Sequence, residues 1–358
     1  MAAYTTIDNP ELYFQVKTYT GNGSTNAITL DGSEDMQPDL VWIKNRSNAA
    51  SHAIQDSVRG NDKTIRSNNT GVEYDNSFFT SFDSDGFTLT SDETDANDDG
   101  HTLVAWCWKA GTTSGITSTG ADITSSAYSF NTTSKFGIGI YTGNGTNPAD
   151  ITHACAGGTA VPEFILTKCR DFDGREGVVY HEQNTSAPET EHLELEATTG
   201  TQDTAWSWND TKPTAVYFTV QSNSANNKSG TLYVSYSWRG VQGFSKFGAY
   251  TGNGNADGTF VYTGFRPAFV LNKRTNSTAN WVIHDNKRTT FNVCNAYLKP
   301  NTTAADTDDS GRYVDLLSNG FKWRGTDTET NHSGSTYIYA AFAEQPFVNS
   351  NGVPCNAR

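Results

Sequence analysis

The chain is short of the residues that most plainly announce a function. Lys and Arg number 25 against 39 Asp and Glu, giving a net charge of −14. No cluster of basic side chains offers to neutralise a phosphate backbone, which argues against nucleic acid as a partner. The same deficit argues against an anionic membrane surface, and no apolar run approaches the roughly 18 residues of a spanning helix. The first residues, Met1 to Pro10, lack the basic region and apolar core of a secretory signal. Cysteine is scarce and odd in number: five residues (Cys107, Cys155, Cys169, Cys294 and Cys355). A disulfide framework would need paired, recurring placements, so free thiols in a reducing cytosol are expected instead. Helical periodicity is also missing; the best stretch runs only from Glu189 to Ala197.

What is present is repetition. The pentapeptide Tyr-Thr-Gly-Asn-Gly begins at Tyr19, Tyr141 and Tyr250. Each copy is followed by a Pro-led apolar run ending in lysine: Pro38 to Lys44, Pro162 to Lys168 and Pro267 to Lys273. A histidine follows each run (His52, His181, His284), and a strand-like run opens on threonine near the end of each unit, at Thr102, Thr231 and Thr336. The period is roughly 110 residues, the size of one folding domain, and far beyond a solenoid repeat of roughly 20 to 50 residues. Three tandem units are therefore expected, over residues 1–112, 113–243 and 244–358. Each should own a core, with the units strung like beads. The Gly/Ser/Thr stretch Ala110 to Gly120 has linker composition.

Apolar segments are short, aromatic and β-branched, and are bounded by Gly, Asn, Asp and Ser. That pattern predicts strands joined by turns, and the expected fold class is all-β, with each unit a sandwich or jelly roll. In the pentapeptide, the tyrosine should end a strand. Asn-Gly should then turn the chain, because paired positive φ angles favour those residues in tight hairpins.

Three constellations could carry chemistry. The histidines have carboxylate neighbours (Asp56, Glu182, Asp285), a pairing usable for acid–base work. No serine or cysteine nucleophile recurs with them, so histidines hydrogen-bonded at strand ends are expected and an enzyme is not. Asp95, Asn97 and Asp99 fit the opening of a calcium loop, in which alternating oxygen donors precede a turn glycine; here it is Gly100. No other cofactor is indicated, and the alternative for this loop is a solvated acidic turn. Trp206 and Trp208 alternate beside Asn209 and Asp210, and Trp323 stands near Arg324 and Asp327. Such aromatic faces flanked by polar groups can stack sugars and bond their hydroxyls; the alternative is core packing.

Pro38-Asp-Leu-Val-Trp-Ile-Lys-Asn-Arg46, Asp56-Ser-Val-Arg-Gly60, Val104-Ala-Trp-Cys-Trp-Lys109, Ser245 to Pro267 and Tyr337 to Phe347 together resemble a family of marine tailed-phage and prophage virion proteins. The resemblance covers almost the whole chain. It implies concanavalin-like (laminin-G-like) sandwich domains and a structural protein on the virion surface, as a tail fibre, tail tip or head decoration, folded in the host cytoplasm. It implies other virion proteins as partners, homo-oligomers on the particle, and host-surface polysaccharide as a ligand, but brings no catalytic residues. Two other readings stay open: an architectural capsid or tail part without a ligand, and a polysaccharide depolymerase.

Overall fold

The computed structural model describes residues 4–357. The chain is all-β, built from antiparallel sheets with a few single helical turns. Four strands recur in one spatial order. A tyrosine strand (Phe14–Thr20, Phe136–Thr142, Ser245–Thr251) pairs with a closing strand (Thr102–Trp108, Leu232–Trp238, Thr336–Pro346). The closing strand pairs with a lysine strand (Leu40–Asn45, Phe164–Cys169, Phe265–Arg274), and that one with a return strand (His52–Asp56, Gly177–His181, Trp281–Asp285). The three Pro-to-Lys runs thus lie in topologically equivalent strands.

A small second sheet faces each large one, formed around Asn26–Thr29 with Gly86–Leu89, Ala149–Thr152 with Tyr217–Val220, and Phe260–Tyr262 with Gly320–Trp323. Between each pair of sheets lies a hydrophobic cluster, and the three clusters fall within residues 28–107, 123–233 and 250–343. The strands facing these clusters are almost continuously buried, since both faces of each large sheet are covered.

The outer faces of the large sheets meet in a fourth cluster that all three repeats share. Trp42, Trp106 and Trp108 pack there with Phe164, Leu166 and Trp238 and with Phe247, Phe269 and Phe342. The Trp108 ring lies 6.3 Å from Trp238 and 5.8 Å from Phe269, and Phe164 lies 5.8 Å from Phe247. This departs from the beads expected from the repeat length. Side chains of the lysine and closing strands alternate, so one set fills its own sandwich and the other needs a neighbour. The presumed linker is likewise tied down: Ala110 N–H donates to Asp39 and Gly111 N–H to Ser129 Oγ, while Thr112 bridges Phe130. The stretch Glu189–Ala197 forms a single 3-10 turn and then the strand Glu191–Glu194, because its apolar residues alternate into the sheet.

The pentapeptide now has a physical account. The tyrosine does end a strand, but the following turn carries the chain from the large sheet to the small one and does not close a two-residue hairpin. The hydroxyls of Tyr19, Tyr141 and Tyr250 donate to the carbonyls of Ala96, Asn226 and Thr330, at 2.7, 2.8 and 2.7 Å. The next residue in each loop is a buried asparagine: Asn97, Asn227 or Asn331. Its Oδ1 accepts the N–H of Asn22, Asn144 or Asn253, and its Nδ2 donates to the carbonyl of Ser24, Thr146 or Asn255. The first glycine of each motif has no room for a side chain. A Cβ on Gly21, Gly143 or Gly252 would lie 2.2 to 2.4 Å from a backbone oxygen of that loop. The second glycine takes a positive φ of 61°, 72° or 65°. Gly143→Ala is expected to cost about 1–3 kcal/mol by overpacking against backbone that cannot retreat. Asn227→Ala should cost a similar amount by orphaning buried groups. Urea unfolding of both variants checks this, and an unchanged midpoint in both would refute the latch.

Candidate functional site

Three contacts close the repeats into a ring, and each uses the lysine that ends the recurring run. Lys44 Nζ donates to Asn45 O at 2.7 Å and to Thr303 O of the third repeat at 3.3 Å. Lys168 Nζ donates to Asn69 O of the first repeat at 2.7 Å, and Lys273 Nζ to Thr198 O of the second at 3.0 Å. All three lysines are buried. Burial outweighs nearby carboxylates and pulls the Lys44 and Lys273 ammonium groups down to about 8. Backbone bonds repeat the ring two residues further on: Asp306 N to Arg46 O, Glu73 N to Arg170 O and Thr201 N to Thr275 O.

Charge reinforces two of the three junctions. Arg59 and Asp56 form a fully buried pair; Arg59 also reaches Glu73, which the second repeat's Arg170 grips, and the second repeat's Tyr236 hydroxyl donates to Asp56 at 2.6 Å. The counterpart joins Asp285, Arg288 and Asp306 of the third repeat to Arg46 and Trp106 of the first. Burial alone would raise the Asp285 carboxyl, but the Arg288 guanidinium and its hydrogen bonds hold it below the usual carboxylate range. At the remaining junction His181 occupies the register of Asp56 and Asp285, and its Nε2 bonds Tyr339 O at 3.0 Å.

The three histidines are therefore not equivalent. His52 pairs in register with Lys44, His181 with Phe164 and His284 with Val270. All are buried, and desolvation lowers their basicity: His181 falls to about 4 and His284 to about 3. Trp42 Nε1 donates to His52 Nδ1, and Lys299 O lies 3.1 Å from His52 Nε2, so this ring serves the same junctions.

The acidic loop belongs to the latch. Asp95 accepts both Arg66 and the Ser51 N–H, and Asn97 is one of the buried latch asparagines; only Asp99 of the three is exposed. Among the described residues, no group of three or more His, Cys, Asp and Glu is arranged to hold a metal. Trp208 and Trp323 are fully buried, against Tyr180 and Phe218 and against Phe321 and His284, so neither ring presents a face to a sugar. The expected alternation of Trp206 and Trp208 is absent because Ala205–Trp208 is a helical turn. Trp206 is half-buried against His192, and Asn209 and Asp210 follow in the left-handed region, with Asp210 exposed. No disulfide joins any two of the five cysteines.

The exposed aromatic pair lies elsewhere. Phe260 and Tyr262 alternate on the edge strand Phe260–Tyr262, and both face solvent at 44% and 47% exposure. They border a groove of about 420 Å³ whose other walls include Lys246, Gly248 and Gln183. In the other two repeats the registers of Phe260 and Tyr262 hold Ala27 and Thr29, and Asp150 and Thr152. A strand reading aromatic–Val–aromatic was the available signal; it stayed hidden because alternation does not say which set faces solvent.

Antiparallel sheets closed into a ring around a shared core make this an all-β protein. Residues 9–346 match a domain of unknown function (DUF7483), and the chain belongs to that family. No curated protein and no solved structure is significantly similar to it. The match runs unbroken through all three repeats, as expected if the ring is inherited whole. No helix among the described residues is long and apolar enough to cross a membrane.

Two outcomes follow. Asp56→Ala leaves Arg59 buried beside a lost partner and is expected to cost about 3–5 kcal/mol. Tyr236→Phe, losing one donor, should cost about 1 kcal/mol; equal losses in urea unfolding would refute the buried pair as the stronger element. The second outcome concerns pH. Unfolded histidines take protons near pH 6.5, whereas folded His181 does so only near pH 4. The unfolded state gains protons first, so stability falls as pH drops from 6.5 to 4, by up to about 3 kcal/mol for this group. His181→Gln should make the fall over that window shallower by this group's share, leaving the shares of His52, His153 and His284, which burial lowers likewise. Identical pH profiles would refute the assignment.

Proposed function

We propose that the protein is a non-enzymatic structural component displayed on the surface of a phage particle. In this reading its three repeats are concanavalin-like sandwich domains (1–112, 113–243, 244–358) locked into one rigid body. The observation that carries it is where the triplicated residues go. The tyrosines, glycines and latch asparagines hold turns, and the lysines join repeats, so the repeated chemistry is spent on rigidity. The resemblance to virion proteins supports the location, and cysteines outside disulfides, four of the five buried, suit a protein folded in the host cytoplasm and exposed later. A depolymerase draws no comparable support: it would need paired carboxylates at glycosidase spacing, which no pattern in the sequence specifies, and Asp56 and Asp285 are buried in pairs with Arg59 and Arg288.

Host-surface glycan adhesion is the second reading, favoured by the outward Phe260 and Tyr262. Immunogold labelling of particles from a host that carries this sequence tests the main one. Regular labelling on the head or tail is expected; particles free of label, with the protein recovered from the cell fraction alone, would overturn it.

A further inference from the structure

The three repeats agree wherever a residue holds the ring or the latch, so a place where one repeat departs from its siblings at the surface is informative. The groove of the third repeat is such a place. Lys246 stands in the register of Gln15 and Gly137, counted from the motif tyrosines, while Phe260 and Tyr262 replace Ala and Thr or Asp and Thr. One repeat has thus acquired a cation and two exposed aromatic rings together.

The geometry is that of a receptor cleft. It lies between the edge strand of the large sheet, Ser245–Thr251, and the edge strand of the small one, Phe260–Tyr262. Its volume of about 420 Å³ falls within the range of small-ligand sites. The Tyr339 ring covers Gly248, and Gln183 of the second repeat lines the groove with an amide able both to donate and to accept. Lys246 Nζ sits 2.7 Å from Tyr262 O and 5.4 Å from the Tyr262 ring centroid. The Tyr262 hydroxyl is held 3.0 Å from Tyr4 Oη, which fixes the ring. Among the described residues no carboxylate side chain lines the groove, although the chain carries 39. In so acidic a protein, an ammonium facing a cleft without a carboxylate favours an anion from outside.

We propose that this groove binds an acidic polysaccharide. The pyranose C–H faces stack on Phe260 and Tyr262, the anionic substituent meets the Lys246 ammonium, and hydroxyls bond Gln183 and the backbone of the edge strand. The anion is a carboxylate or a sulfate, since an ammonium is a point charge that accepts either. The inference rests on the adhesion reading above and moves it from the buried tryptophans to rings that face solvent.

The experiment titrates the full chain by NMR with oligogalacturonate, a sulfated galactan oligomer and cello-oligosaccharide. One of the two acidic ligands is expected to bind at least about tenfold more tightly than the neutral one. Lys246→Gln should erase that preference, and Phe260→Ala with Tyr262→Ala should weaken all binding by about tenfold. Phe260→Ala alone, at an exposed position, guards against loss of fold and should lose part of the affinity. If wild-type protein binds the acidic sugars but the variants bind equally well, the groove is wrong and adhesion stands at another surface. If it binds none of these sugars, nor the polysaccharide of its host cells, both the groove and the adhesion reading fall.

Discussion

The interaction on which this molecule depends is a buried ammonium reaching a backbone carbonyl of the next repeat. Lys44, Lys168 and Lys273 each end the central strand of a sheet, where solvent is excluded from both faces. An ammonium there has to find oxygen or lose its proton. A neighbouring loop supplies the oxygen in every case, and because repeat one serves two, two serves three and three serves one, the contacts form a closed ring. Closure leaves no repeat with an unsatisfied end, which is the advantage a cyclic oligomer obtains from symmetry.

Packing and charge follow from that closure. Once the lysine strands are brought side by side, the outer faces of three large sheets point at a common centre, and Trp, Phe and Leu side chains fill it. What remains is an apolar void of about 40 Å³, too poor in polar partners to hold ordered water. The buried Asp–Arg pairs occupy the rim of this core. They bring little net stability over an apolar substitute, but their geometry is demanding and fixes which loop meets which strand. The third junction manages with a neutral histidine, so the ring tolerates an uncharged version of the same contact.

Rigidity of this kind suits a display scaffold. The latch holds the turns at the ends of the tyrosine strands, and the ring holds the sheets, leaving loops and edge strands free to vary without loss of the fold. The groove bordered by Phe260 and Tyr262 sits on such an edge, where the second strand of the third repeat carries aromatic residues in place of small ones.

Much of this was legible in the sequence. Three copies of Tyr-Thr-Gly-Asn-Gly and three Pro-to-Lys runs established repetition. Short β-branched and aromatic segments bounded by turn residues established an all-β chain, since strand pattern and turn chemistry are local properties. The sequence did not reveal partners distant along the chain. Nothing local marks Asn97 as the receiver of a turn some 75 residues earlier, and only the tertiary structure shows its amide holding that turn. The outward alternation of Trp206 and Trp208 failed for a similar reason: their segment winds into a helical turn, and Trp208 is drawn beneath Tyr180 and Phe218. A histidine follows each lysine run, but the three fall in three different registers, which only strand pairing defines. Above all, the lysines ended apolar runs without apparent reason. Their role exists only once another repeat places a carbonyl within hydrogen-bonding distance, and that placement comes from the shared core, a property of the assembled tertiary structure and of no single segment.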